Sequence, residues 1–323
     1  MSAGTDDRLI VGIGLKVASV AVLMAMSSLV KVATETVPAG EIVFFRSLFA
    51  VPPIIAWLWW RGDLATGLKV ASPVSHLLRG AIGCTAMALM FTGLGLLPLP
   101  EVTAIAYAAP VIVTVMAAIF LGERIRAWRI GAVLFGFAGV LVIMSPRLAA
   151  LGTGPLEGEA LGAIALLACT VFMAAATCIV RSMVHREESS AIVFWFSISC
   201  TVYALLTVPF GWVMPSPSIL AVLVGAGILG GIGQILLTES FRHGDAGVIS
   251  PFEYSSLLFS LAIGWFVFGE TPVAETYPGA AMVIAAGLVI LWRERRAAAE
   301  RQGRSRERSD ALTRARAVTK GAS

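Results

Sequence analysis

Ten apolar runs, each about twenty residues long and separated by short connections, decide most of what this chain can fold into. They fall near residues 10–32, 40–60, 74–96, 101–121, 128–145, 159–180, 190–211, 217–241, 247–268 and 275–292. At 1.5 Å of rise per residue, a helix of that length crosses roughly 30 Å of hydrocarbon. No water is available there, so every backbone N–H and C=O must be satisfied within the segment. That selects helices; barrel strands would be shorter and alternating. Only 14% of the residues are charged, against about 25% in a soluble domain, too few to coat a water-soluble globule of this size. The expected fold class is an all-α membrane protein with ten transmembrane helices.

Charge then sets an orientation. Residues 293–323 hold ten Lys/Arg and four Asp/Glu, whereas the rest of the chain is slightly acidic. The basic character is therefore a tail. Directly after an apolar helix it reads as a cytoplasmic segment drawn to anionic headgroups, not as a nucleic-acid binder. With both termini cytoplasmic, Arg61, Lys69, Arg124, Arg126, Arg181, Arg186 and Arg242 fall on inner connections. Lys31 and Arg147 alone fall outside. The start, "MSAGTDDRLIVGIGLKVASVAVLMAM", lacks a clear small-residue cleavage site and is expected to be a retained first span.

The residues give no sign of an enzyme. Cys84, Cys169, Cys178 and Cys200 lie in apolar runs without C-x-x-C spacing and read as small packing residues. His76, His185 and His243 stand near segment ends with no zinc or catalytic spacing, and no phosphate loop or nucleophile elbow occurs. No cofactor or metal is expected.

The chain also matches itself. At a shift of 150 residues, "IVFFRS" (42–47) faces "IVFWFS" (192–197), Lys31 faces Arg181, Gly80 faces Gly230 and Gly83 faces Gly233. At a shift of 147, Tyr107 faces Tyr254 and Gly122–Glu123 faces Gly269–Glu270. Five spans repeated once is an odd number, so the second copy must enter the membrane from the opposite side. Such inverted repeats place solute near the midplane, between halves that rock. The expected organisation is a cytoplasmic N-terminus (1–9), a first five-helix repeat (10–145), a linker (146–158), a second repeat (159–292) and a basic tail without a packed fold (293–323).

"EIVFFRS", "TAIAYAAPVIVTVMAAIFLGE" and "SPFEYSSLLFSLAIGWFVFGE" make the chain resemble the EamA-type carriers of the drug/metabolite transporter superfamily, over essentially Leu9 to Trp292. The resemblance implies a secondary transporter of a small metabolite in the bacterial inner membrane, as a monomer or homodimer. Relatives of that kind move amino acids, riboflavin or S-adenosylmethionine. "PAGEIVFFRSLFA" resembles the riboflavin-importer branch, so riboflavin uptake is the leading expectation and an amino-acid or S-adenosylmethionine carrier the alternative. A non-transporting scaffold is the rival of a different class. The second repeat departs from the first where Phe196 stands opposite Arg46 and Leu229 opposite Arg79.

Ionisable and polar groups inside the spans are the candidate solute contacts, because burying a charge in a bilayer costs about 2.5–3.5 kcal/mol on insertion scales. Arg46 lies about five residues into span two, roughly 7–8 Å deep, ahead of Pro52–Pro53, which should bend that helix. Its alternatives are a solute or gate contact, or a tie to Glu41 or to a neighbouring helix's carbonyls. Arg79 lines a cavity or snorkels; Lys16 is expected to snorkel. Ser250, Glu253, Ser256 and Ser260 share one face of span nine, with Tyr254 beside them. Glu253 is expected to pair with Arg46 or Arg79, to accept a proton, or to bind a cation. Thr103, Tyr107, Pro110 and Thr114 form a cognate stripe on span four, and Gly227, Gly231, Gln234 and Thr238 another on span eight. Ser27, Ser28, Thr177 and Cys178 complete the expected cavity. Gly136, Gly139, Gly279 and Gly287 read as helix-packing positions, and Trp57, Trp59, Trp60, Trp212 and Trp292 as interface anchors.

Overall fold

A computed structural model describes residues 3–64, 67–109, 127–150, 158–183, 186–243 and 249–290, with single positions at 112, 116, 292, 293 and 296. The described residues form helices and connections with no strand. In chain order the helices are α1 (Ala3–Thr34), α2 (Ala39–Arg61), α3 (Pro73–Leu96), α4 (Leu99–Ala106), α5 (Ala127–Ala150) and α6 (Glu159–Met183). They continue with α7 (Ser189–Ala204), α8 (Pro217–Arg242), α9 (Ser255–Phe268) and α10 (Thr276–Ile290). Among the described residues six helices are long and apolar enough to cross a membrane: α1, α2, α3, α6, α8, and α7 with its continuation to Phe210. The shorter helices α5, α9 and α10 are apolar as well.

Three predicted spans differ from plain α-helices, and proline accounts for each. Span seven tightens at its end into a 3₁₀ helix, Leu205–Phe210, around Pro209, which has no N–H to extend the α ladder. Span nine opens as a 3₁₀ turn, Ser250–Tyr254, with Pro251 in its first turn. The α4 helix stops at Ala106, the residue whose carbonyl Pro110 cannot bond. By contrast, α2 continues as one helix through Pro52 and Pro53.

The body is oriented like a membrane protein. Apolar side chains point outward as well as inward: Trp60, Phe210, Met214 and Phe266 are among the most exposed. An outer surface of this kind suits lipid and not water. The core runs through Val30, Ile42, Leu94, Leu97, Ile105, Ile143, Leu166 and Leu223. Inside it, α1 packs along α8 and α3 along α6; α2 contacts α7 and α8, α3 contacts α7, and α4 meets α9. Backbones come closest where a side chain is missing. A Cβ on Gly139 would lie 2.8 Å from the Gly279 carbonyl, so these two glycines let α5 and α10 touch.

Buried carboxylates tie helix ends to connections. Glu41, at the head of α2, accepts the Val213 N–H before α8 (3.0 Å). Glu187, just before α7, accepts the Ala71 and Ser72 N–H groups before α3 (2.9 and 2.8 Å). Glu101, at the head of α4, accepts the Val273 N–H before α10 (3.2 Å). Each satisfies a backbone N–H in the connection that leads into a helix. After α9, Gly269 sits in the left-handed region (φ 65°), and the Glu270 N–H bonds back to the Gly264 carbonyl. This glycine-ended cap turns Glu270 back over the bundle. There it accepts the Leu99 N–H (2.9 Å) and pairs with Lys31 (2.9 Å).

Candidate solute site

The charged candidates divide into pairs and orphans. Lys16, expected to snorkel, is instead 3% exposed and forms an ion pair with Glu253. Glu253 therefore engages neither Arg46 nor Arg79, contrary to one expectation. The α1 helix supplies this partner because it packs closely on α8, with the Ser19 hydroxyl donating to the Gly233 carbonyl at 2.8 Å. Lys31, placed on the outer side by the sequence, donates to the carbonyls of Leu94 (3.0 Å) and Leu97 (2.6 Å) besides pairing with Glu270. Farther down the bundle, Arg61 binds Glu239 (2.8 Å) and lies over the Trp57 ring.

Arg46 has no such carboxylate among the described residues. It is 5% exposed, and its Nη1 points at the Met87 sulfur, 3.7 Å away. Its Nε has no hydrogen-bond partner among the described residues. Glu41, the sequence's candidate tie, is occupied by Val213. The guanidinium fits because position 230 is glycine: a Cβ there would lie 3.0 Å from Nε and 3.2 Å from the Met26 sulfur. Arg79 is similar. Its guanidinium stacks on the Phe196 ring at 4.1 Å, while Nε and Nη1 lack hydrogen-bond partners. Its head reaches Gly83, where a Cβ would collide with both Nη1 and Phe196. Nearby, the Cys200 thiol lies 3.9 Å from the Gly80 carbonyl.

A second polar group lies where α4 meets α9. The Tyr107 and Ser256 hydroxyls are 2.6 Å apart, and Tyr107 also donates to the Tyr254 carbonyl at 3.1 Å. The Tyr107 and Tyr254 rings meet edge to face with centroids 5.0 Å apart. Gly287 leaves room for the Tyr254 hydroxyl.

The hydroxyl stripes need a physical correction. Ser256 and Ser260 do face inward, at 3% and 0% exposed. Yet Ser260 donates to Leu257, Thr238 to Gln234, Thr103 to Leu99 and Ser28 to Met24, each to its own helix's carbonyl. Such back-bonding satisfies a hydroxyl without any ligand. Gln234 is half-buried on α8. Ser250 opens the 3₁₀ turn; Thr114 lies outside the described residues. Thr177 is exposed and also bonds its own helix. An apolar cavity of about 160 Å³ between α9 and α10, lined by Leu257, Leu261, Tyr277 and Ile284, contains none of the charged candidates.

Sequence reasoning missed Met87, Met26 and the stacking of Arg79 on Phe196. The repeat alignment held a usable signal, since it paired Phe196 with Arg46 and Gly83 with Gly233.

Comparison with known proteins fits this arrangement. A solved crystal structure superposes with a TM-score of 0.62 at 22% identity, over 90% of this chain and 99% of its own, which supports the fold. The pseudopaline exporter CntI of Pseudomonas aeruginosa is 29% identical over 88% of this chain and 97% of its own. The S-adenosylmethionine uptake transporter of Rickettsia felis is 27% identical (80% and 84%). The riboflavin transporter of Rhizobium johnstonii is 26% identical (80% and 83%). The model of the EamA-like transporter family matches twice, at residues 10–145 and 160–292. This multi-pass membrane protein belongs to the EamA-like transporter family.

Proposed function

We propose that the protein is a secondary carrier that moves a small metabolite across the bacterial inner membrane by alternating access between two inverted five-helix repeats. The carrying observation is the set of charged and polar side chains set into an apolar bundle: Arg46, Arg79, the buried Lys16 with its half-exposed partner Glu253, and Tyr107 with Ser256. A scaffold has no use for such a costly interior.

The helix pairings support the repeat. Equating α1 with α6, α2 with α7, α3 with α8 and α4 with α9 turns the α1–α8 contact into α6–α3, and α2–α8 into α7–α3. Tyr107 and Tyr254, equated by the 147-residue shift, touch each other, as residues on a two-fold axis do. Transport follows if the halves rock about that axis. Relatives with three different solutes fall within a few per cent identity of one another. Riboflavin uptake, S-adenosylmethionine uptake and export of a pseudopaline-like solute therefore all stay on the panel, with riboflavin favoured by the wording of span two.

The test is counterflow in proteoliposomes loaded with each solute in turn. Accumulation of at least one labelled solute is expected. No exchange of any solute would return the scaffold reading. A Glu253→Gln variant should lose or uncouple transport while still inserting; full transport without pH sensitivity would remove Glu253 from the mechanism.

A further inference from the structure

We infer that the transported solute is an amphipathic anion, held through an oxyanion group by Arg46 and Arg79. The inference rests on the carrier reading and specifies its substrate class. Both guanidiniums keep N–H groups with no hydrogen-bond partner among the described residues, and Arg46 is more than nine-tenths buried. A buried charge without a counter-charge is costly. Lys16, Lys31 and Arg61 each have a carboxylate partner in the same bundle. Among the described residues the two arginines have none, and a solute can supply that complement.

Geometry narrows that complement. The Arg79 head lies beside Gly83 and Arg46 points at Met87. These α3 residues are one helical turn apart, so the two cations are offset by about 6 Å along the helix axis. One anionic solute can span that offset. The planar guanidinium fork favours carboxylate or phosphate oxygens. The surrounding Phe196 ring and the Met87 and Met26 sulfurs are apolar and polarisable, suited to an aromatic or aliphatic body. The fold does not require the arginines, because the equated positions of the other repeat carry Phe196 and Leu229. Such a site selects against a neutral solute such as riboflavin and against a net cation such as S-adenosylmethionine, so it departs from the wording of span two and narrows the panel to its anionic members.

The test compares purified wild type with Arg46→Phe and Arg79→Leu, each introducing the residue the other repeat already holds. Melting temperature is read at constant ionic strength with succinate, inorganic phosphate or neutral acetamide. The expected result is a rise of a few degrees in wild type with succinate, phosphate or both, none with acetamide, and loss of the rise in both variants. Whichever anion acts identifies the oxyanion. Without anion, the variants should melt no lower than wild type, since each removes an unpaired buried cation. No anion-dependent rise in wild type, or the same rise in both variants, overturns the proposal. Counterflow separates the two levels. Exchange of a neutral or cationic solute, undiminished in both variants, leaves the carrier standing and removes the anion site. An anion shift without exchange of any solute keeps the site and removes the carrier.

Discussion

Lys31 and Glu270 show how one residue decides whether a charge near a membrane is structural. Lys31 spends its three ammonium donors on two carbonyls and one carboxylate, so it holds the end of α1 to α3 and to the chain after α9. Glu270 divides its oxygens between Lys31 and the Leu99 N–H. Glu270→Gln keeps an acceptor for Leu99 and loses only the ion pair, so a loss of about 1 kcal/mol is expected. Glu270→Ala also strands a backbone donor, so about 2–3 kcal/mol is expected. Denaturation of the purified variants checks the order; equal losses would mean that the Leu99 bond contributes nothing. Glu187 makes a pH prediction. Burial works against its charge, but the Ala71 and Ser72 N–H groups and His76 outweigh that and hold its carboxyl below the usual carboxylate range. With the folded pKa below the unfolded one, its stabilisation is complete above the unfolded value, roughly 4.3, and is lost as pH falls through the folded one. The melting difference between wild type and Glu187→Gln should be a few degrees at pH 7 and vanish on strong acidification. A difference that persists unchanged in acid would contradict this.

At the scale of elements, contact between helices rests on missing side chains. Gly279 and Gly139 let α5 and α10 approach backbone to backbone, so Gly279→Val should separate them and lower the monodisperse yield in detergent. Gly14, where an added Cβ would meet nothing within 4 Å, serves as the control, and Gly14→Ala should be silent. Proline acts in the opposite sense, by shortening or tightening helices. It marks the end of span seven and the opening of span nine. The apolar periodicity of the sequence located spans one, two, three, six and eight to within three residues, because each is long and uninterrupted. The 3₁₀ segments were not legible, because the choice between α and 3₁₀ at a proline depends on what packs against the freed carbonyls. The stripes on spans four and nine contain the buried Tyr107, Ser256 and Ser260, but the span-nine stripe also contains the half-exposed Glu253. They could not show that several hydroxyls bond their own helices, which is a matter of side-chain rotation.

At the scale of the molecule, the ties gather at both ends of the bundle. Lys31, Glu41, Glu101 and Glu270 close one end, while Arg61 and Glu187 hold connections at the other. Under the proposed alternating access, one set must break at a time. Cys84 lies half-buried beside Gly83 and Cys200, within the region of the two arginines, and reports on opening. Lys31→Ala should speed N-ethylmaleimide labelling of Cys84, read by mass spectrometry of the purified protein. Unchanged labelling would mean that the Lys31 tie does not gate access.

The sequence by itself determined a helical membrane body and which residues place charge within the bundle. Those properties follow from composition, length and period, which are local. Only the tertiary structure decided the partners of those charges. Lys16 found Glu253 because α1 lies between α8 and the start of span nine, and Lys31 found Glu270 because a left-handed glycine turns the chain back. Arg46 and Arg79 were left with sulfur and an aromatic ring. Pairing across 237 residues of chain, as between Lys16 and Glu253, depends on which helix faces meet, and no local pattern of residues records that.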